Sequence, residues 1–197
     1  MKYAESRGIK VRNTPDAFIN PVTESTIGLM LSIVRRIEEN NRKMHEGKWE
    51  KIRALTLYEL TVGIIGYGRI GSSVANKLSL FTDNLIWYDI KPDNELNPDG
   101  KFHGKRVSFT DLIDKSDIIS LHCDLNPSSF HMISEEQIKL MKDGVIIINT
   151  SRGSVLNEPD IERNLKSGKI GFAGLDVFEK EPLPESSFLR SCDRCIL

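Results

Sequence analysis

The hydrophobic positions near the start of the chain follow a helical spacing. From Thr23 onward, apolar residues recur three and four positions apart, as on one face of an α-helix; they are Ile27, Met30, Leu31, Val34 and Ile37. The pattern gives way to a polar run and stops at Gly47. It predicts one amphipathic helix of about twenty residues, which must pack within the domain or against a second copy of the chain.

From residue 61 onward, short apolar runs replace the helical spacing. Such runs, bounded by turn residues, are typical of strands that are buried on both faces. They predict strands at 61–65, 85–88, 118–121, 145–148 and 170–175, and residues 194–197 read as a further strand.

Helical signals fall between these predicted strands. One pattern runs through Val74, Leu78 and Leu80, a capping box opens a helix at residues 134–137, and a third helix runs from Asn157 to Gly168. The polar stretch 93–104 is expected to be a solvated loop. Strands that alternate with helices predict an α/β fold, a doubly wound parallel sheet covered by helices on both faces.

Composition narrows the function classes. The chain of 197 residues has 39% hydrophobic residues, 28% charged residues and a formal net charge of -1. We therefore expect a globular domain with no nucleic-acid or membrane partner. The three cysteines are too few for a disulfide scaffold, which favours a cytoplasmic protein. Cys192 and Cys195 have redox or metal-ligand spacing, but with no second pair we interpret it as chance near a frayed end, and we expect no metal.

A glycine-rich turn follows the first predicted strand. Gly66, Gly68 and Gly71 have the GxGxxG spacing, which allows a tight turn, close approach of a pyrophosphate and close packing of helix on strand. The next strand ends at Asp89, 18 residues after Gly71, where a carboxylate accepts from ribose hydroxyls and repels a 2′-phosphate. This pattern predicts a Rossmann-type domain that binds NAD rather than NADP. The alternative is a glycine turn in another α/β protein, with Asp89 a solvated strand end.

Charged residues also follow the last two predicted strands. Arg152 comes after the 145–148 strand, where a guanidinium can hold a substrate carboxylate in bidentate fashion. Asp176 follows the 170–175 strand and is placed to accept from a nicotinamide carboxamide, while Glu179 and Glu181 are candidates to orient a base. Taken singly, each of these residues is also compatible with an ordinary solvated loop charge.

Together these motifs resemble the D-isomer-specific 2-hydroxyacid dehydrogenases, a family that includes D-lactate, glycerate, 3-phosphoglycerate and formate dehydrogenases. The similarity is carried in order by residues 8–15, 61–71, 120–122, 141–144, 149–153 and 174–182. The Arg152-Gly153 pair and the run Asp-Val-Phe-Glu-Lys-Glu-Pro at 176–182 are the most specific of these motifs.

The resemblance implies a role for each matching residue. Glu181 is expected to partner the catalytic histidine, and Glu179 to be structural. Arg152 is expected to bind the substrate carboxylate and carbonyl. The other contacts to NAD are implied for Arg69 and Ile70 at the pyrophosphate, Asp89 at the ribose, Cys123, Asp124 and Ser129 on the adenosine side, and Thr150, Ser151 and Asp176 at the nicotinamide end.

The chain also departs from the family pattern. The family's histidine stands in a Pro-His pair beyond the Glu-Pro motif, and no histidine follows His131 here. His122 is expected to line the cofactor site or to be packed, not to be the catalyst. We therefore expect residues 1–15 to be a remnant of a split substrate domain and residues 16–197 to be the NAD-binding domain, inactive as this fragment.

Two further expectations concern the partners of the protein. Family resemblance implies a homodimer through the helix that begins near Thr23. A non-catalytic, NAD-sensing relative of the corepressor type is the alternative to an enzyme, although both Arg152 and Glu181 are present. The particular 2-hydroxy acid and the physiological direction of the reaction stay open.

Overall fold

The fold is a single parallel β-sheet with helices on both faces. The computed structural model describes residues 2–12, 14, 16–96 and 101–197. The sheet has the order β3-β2-β1-β4-β5-β6-β7, and each neighbouring pair is parallel. The strands are β1 (Val62–Ile65), β2 (Leu85–Tyr88), β3 (Lys105–Arg106), β4 (Ile118–Leu121), β5 (Val145–Asn149), β6 (Ile170–Leu175) and β7 (Cys195–Ile196). The predicted α/β class and doubly wound sheet are confirmed.

Eight helices surround or flank the sheet in the described part of the chain. They are α1 (Lys2–Ser6), α2 (Ile19–Val34), α3 (Ile37–His45), α4 (Arg69–Leu78), α5 (Asp93–Leu96), α6 (Phe109–Lys115), α7 (Glu135–Leu140) and α8 (Glu158–Ser167). The helix ends follow local rules that the sequence displays. Ser134 and Gln137 form the predicted capping box of α7, Asn157 caps α8, and Gly168 closes α8 in a left-handed conformation.

Alternation along the central strands divides the core into two clusters. Ile146 and Ile148 of β5 pack with Met30 of α2 on one face, whereas Val145 and Ile147 pack with α6, α7 and α8 on the other. Successive side chains of a strand point to opposite faces, so a continuous apolar run supplies both clusters. Each fully buried aliphatic side chain contributes about 1.5–3 kcal/mol relative to an exposed one.

The structure corrects three sequence predictions. The predicted single helix from Thr23 to Gly47 is two helices, because Arg36 adopts a left-handed conformation (φ 55°) between α2 and α3. The helix α2 also begins at Ile19, ahead of Pro21. Leu80 lies beyond the end of α4 and is 86% exposed, so it is not part of that helix's apolar face.

The predicted loop at 93–104 contains a short helix, α5, at its start. Residues 97–100 of that loop lie outside the described residues, as do Asn13 and Pro15 of the segment that resembles the family hinge. Among the described residues, none of the helices is both long enough and apolar enough to cross a membrane.

Candidate functional site

The parallel sheet brings the ends of its strands together at one edge. Ligands of open α/β sheets bind at this carboxyl edge, where the order of the strands reverses. Here the reversal lies between β1 and β4. A cleft of about 180 Å³ opens at this point, and we call it the β1 cleft. Six of the predicted cofactor residues line it: Gly66, Gly68, Asp89, Cys123, Asp124 and Ser129.

The glycine turn lines the β1 cleft, and only glycine fits at two of its positions. Gly66 has a φ of 89°, and a Cβ there would lie 2.7 Å from the carbonyl carbon of His122. A Cβ on Gly71 would lie 1.9 Å from the carbonyl oxygen of Gly66. Gly71 therefore allows the start of α4 to pack directly against the end of β1, and Gly66 allows the turn to pack against the backbone that follows β4.

The first turn of α4 points toward the same cleft. Gly68 is the N-cap and offers no side chain to the free N–H groups that begin the helix. The positive end of the helix dipole and these donors together favour an anion such as a pyrophosphate. The predicted pyrophosphate residues Arg69 and Ile70 are the first two residues of this helix, and the Arg69 guanidinium lies 3.4 Å from Asp16.

Asp89 lies directly after β2 and connects the glycine turn to the far wall of the cleft. Its Oδ2 accepts a hydrogen bond from the backbone N–H of Tyr67 at 2.7 Å, and its Oδ1 accepts from the N–H of Lys91 at 2.8 Å. An ionised carboxylate has about four acceptor sites, so two remain for a ligand. Sequence reasoning missed the structural part of this role, although an aspartate two residues before an N–H is a known turn signal.

The wall after β4 is built from buried and half-buried polar groups. Burial lowers the pKa of the His122 imidazole to about 4 and raises the pKa of the Cys123 thiol to about 11. The Nε2 of His122 lies 2.8 Å from the hydroxyl of Ser120. The Ser129 hydroxyl donates to the carbonyl of Asp124 at 2.6 Å, so this serine holds the loop as well as lining the cleft. His122 is a cleft-lining residue, as expected from the sequence.

The segment after β5 is held by a turn that Asn149 organises. The Oδ1 of Asn149 accepts from the N–H and hydroxyl of Ser151 at 3.0 and 2.8 Å, and its Nδ2 donates to the carbonyl of Arg152 at 3.0 Å. The Arg152 side chain is exposed and donates to the carbonyl of Ser151. Thr150 is buried, with its hydroxyl 2.8 Å from that of Thr26 on α2. Asn149 is a positioning residue that sequence reasoning did not identify.

The segment after β6 packs on the segment after β5. A Cβ on Gly153 would lie 1.9 Å from the backbone of Phe178, so the two segments are in direct backbone contact. Glu181 accepts from the N–H of Phe178 at 3.1 Å, across a turn that ends in a cis peptide bond to Pro182. Arg152 and Glu181 thus belong to two adjoining segments at the carboxyl edge, outside the β1 cleft.

Glu179 and Asp176 face in other directions. Glu179 accepts from the N–H of Glu158 at 2.8 Å, which fixes the loop to α8, and it lies 2.9 Å from the Nε2 of His131 in the segment between β4 and α7. Asp176 is exposed and lines a separate depression with residues of α2 and Ile196. The described part of the chain contains no group of three or more His, Cys, Asp or Glu side chains that could hold a metal ion.

The glycine turn, the acid after β2 and the strand reversal define a dinucleotide-binding domain of the Rossmann class. A family model described as "D-isomer specific 2-hydroxyacid dehydrogenase, NAD binding domain" matches residues 27–197. The chain belongs to this family, and NAD is the cofactor that the domain binds.

Named relatives agree with this assignment. A hydroxypyruvate reductase of Thermotoga maritima is 43% identical over 92% of the chain, and a glyoxylate reductase of Thermofilum pendens is 38% identical over 98%. The chain covers only 58% and 59% of these two proteins. A crystal structure of D-lactate dehydrogenase from Aquifex aeolicus, complexed with NAD and lactic acid, superposes with a TM-score of 0.79 and 35% identity, over 91% of this chain and 54% of that one.

Proposed function

We propose that this chain is the cofactor-binding part of an NAD-dependent oxidoreductase that acts on D-2-hydroxy acids. The observation that carries the proposal is the position of Asp89, whose carboxylate faces the same cleft as the glycine turn and the start of α4. The relatives named above, a hydroxypyruvate reductase and a glyoxylate reductase, support a small 2-oxo acid as the substrate class.

The residues of the β1 cleft suit NAD in shape and charge. The space beside Gly68 is open, since a Cβ there would meet no atom within 4 Å, and a pyrophosphate can approach the backbone. Asp89 offers its remaining acceptor sites to ribose hydroxyls. Cys123, Asp124 and Ser129 would line the adenosine side, while Arg69 and Ile70 at the start of α4 would hold the pyrophosphate.

The segments after β5 and β6 would hold the substrate and the nicotinamide end. When bound, NAD would accept a hydride from the C2 atom of a 2-hydroxy acid, and NADH would donate one to the C2 atom of a 2-oxo acid. Arg152 would bind the substrate carboxylate, Thr150, Ser151 and Asp176 would contact the nicotinamide end, and Glu181 would orient the histidine of the family. In this proposal residues 16–197 form the NAD-binding domain, and residues 1–15 belong to the connection with the substrate domain.

We also propose that the protein is a homodimer and that α2 and α3 contribute to its interface. Large apolar side chains are exposed on and around these helices, and exposed apolar surface is common at protein–protein interfaces. They are Phe18, Ile37, Met44 and Trp49.

A calorimetric titration with NAD and with NADP tests the cofactor proposal. The informative variant is Asp89→Asn, because an amide oxygen keeps one acceptor for the turn while removing the charge. Losing a charged hydrogen bond costs about 1.5–3 kcal/mol, so we expect NAD binding to weaken about tenfold or more. The preference for NAD over NADP should fall as well, because the repulsion of a 2′-phosphate is lost.

The matched control is Asp114→Asn, an exposed aspartate on α6 away from the cleft. This variant should bind both nucleotides as the unchanged chain does. Circular dichroism checks that the fold survives in each variant. Equal affinity of the unchanged chain for NAD and NADP, or an unaltered preference in Asp89→Asn, would contradict the proposal.

A further inference from the structure

Cys192 and Cys195 stand at the two ends of one tight turn, at the β7 edge of the sheet. The backbone N–H of Cys195 donates to the carbonyl of Cys192 at 2.9 Å, which makes them the first and fourth residues of a β-turn. The Cα atoms at the ends of such a turn lie within about 7 Å, and disulfides span Cα distances of about 4.4–6.8 Å. The backbone therefore already holds the two cysteines within bridging range.

The thiols face each other as well. The Cys192 side chain is close enough to that of Cys195 to influence its thiol, and both cysteines are free and half-buried. The turn is also ordered by its neighbours, because Cys195 and Ile196 pair with Ala173 and Gly174 of β6. The expectation that this segment is a frayed chain end is therefore wrong.

The environment distinguishes the two sulfurs. Burial, and next the neighbouring Cys192, raise the pKa of the Cys195 thiol. Thiolate is the form that attacks a disulfide, so Cys195 is the poorer nucleophile of the pair. Cys192, which caps the preceding turn Phe188–Ser191, is accordingly the sulfur that reacts first.

We propose that Cys192 and Cys195 are a reversible redox pair, which closes an intramolecular disulfide by exchange with a low-molecular-weight disulfide. The Cys192 thiolate attacks one sulfur of the small disulfide and releases the first small thiolate. The Cys195 thiolate then attacks the Cys192 sulfur of the mixed disulfide and displaces the second. The protein loses two electrons, and the small disulfide is reduced to two thiols that carry the two protons.

Peptide mapping of the folded 197-residue chain after incubation with oxidised glutathione tests the proposal. Trypsin cleaves after Arg190 and Arg194, so the peptides 191–194 and 195–197 stay together only if the disulfide joins them. We expect this linked pair, a loss of two of the three thiols, and recovery of all three with excess reduced glutathione. Cys123→Ser should give the same linked pair.

The single variants separate exchange within the turn from general thiol reactivity. Cys195→Ser should accumulate glutathione on residue 192, because the resolving thiol is absent. Cys192→Ser should give no linked peptide and at least tenfold slower glutathione uptake at residue 195, and circular dichroism confirms that both variants are folded. Glutathione adducts without a linked peptide in the unchanged chain, or disulfides that involve Cys123 or a second chain, would overturn the proposal.

Discussion

Gly68 and Gly71 lie three residues apart in one turn, yet we predict that alanine impairs stability at Gly71 and NAD binding at Gly68. A Cβ at residue 71 would lie 1.9 Å from the carbonyl oxygen of Gly66, a backbone atom that cannot move without opening the turn. A Cβ at residue 68 would meet no atom within 4 Å, and the φ of -68° at Gly68 suits any residue. Gly71 therefore serves the fold, whereas the absence of a side chain at Gly68 serves the ligand.

The expected magnitudes follow from these contacts. Overpacking against backbone costs typically about 1–3 kcal/mol, so Gly71→Ala should lower Tm by about 3–10 °C in a chain of this size. Gly68→Ala changes an exposed N-cap from glycine to alanine and adds some restriction of the unfolded chain, so the free energy of unfolding should change by less than about 1 kcal/mol. Its methyl group would, however, occupy the space that a pyrophosphate needs, and NAD binding should weaken about tenfold or more.

Two measurements separate these effects. Thermal unfolding followed by circular dichroism, without nucleotide, should show a loss in Gly71→Ala and almost none in Gly68→Ala. Calorimetric titration of Gly68→Ala with NAD should show the loss of affinity in a chain that is fully folded. The reasoning fails if Gly68→Ala binds NAD as tightly as the unchanged chain, or if it unfolds at the same lowered temperature as Gly71→Ala.

Two further predictions concern stability against pH and assembly. Burial holds the pKa of His122 near 4 against an ordinary 6.5, so the unfolded chain binds the proton first and stability is lost as the pH falls from about 6.5 toward 4. Chemical denaturation at several pH values should show that this decrease in the free energy of unfolding is roughly 2–3 kcal/mol smaller in His122→Asn than in the unchanged chain. The same dependence of the free energy of unfolding on pH in both chains would contradict the prediction. For the dimer, light scattering should show that the double variant Ile37→Glu and Met44→Glu is a monomer, whereas the exposed control Leu80→Glu keeps the mass of a dimer. A monomeric mass for the chain without substitutions would refute the interface.

Much of the fold could be predicted because its signals are local. The continuous apolar run of β5 and the cap at Asn157 depend only on burial and on neighbouring backbone groups, and both were located correctly. The start of α2 could not be found in this way. Its N-cap is Phe18, which makes no side-chain capping bond, and Pro21 is tolerated in the first turn of a helix. No cap residue marks this end in the sequence.

The break between α2 and α3 depends on a contact that is distant in sequence. Arg36 adopts the left-handed conformation that ordinarily favours glycine, which costs a non-glycine residue of order 1 kcal/mol or more. Its guanidinium lies 3.8 Å from the centre of the Phe172 ring on β6, and it also lies 3.7 Å from Glu39. A contact across more than one hundred residues has no local signature, so the helical spacing on both sides predicted one continuous helix.

The same limit applies to the candidate site. The sequence located the residues at the carboxyl edge but not all of the hydrogen bonds that orient them, because some of those bonds join segments far apart in the chain. Asp89 is the clearest case, since one oxygen reaches back to Tyr67, 22 residues earlier, while the other closes a local turn at Lys91. Only the second of these contacts has a sequence signal.

The contact between Thr26 and Thr150 shows how the outer helix bears on the site. Thr26 donates its only hydroxyl proton to the carbonyl of Val22 at 2.7 Å, as a helical threonine commonly does. In the 2.8 Å contact between the two hydroxyls, Thr150 must therefore be the donor. The Thr150 hydroxyl is then left with lone pairs alone, so any hydrogen bond that this hydroxyl makes at the nicotinamide end has to be one that it accepts from a donor on the cofactor. The helix α2 thereby restricts the hydrogen bonding of a residue that follows β5, which links the proposed dimer helix to the proposed cofactor contact.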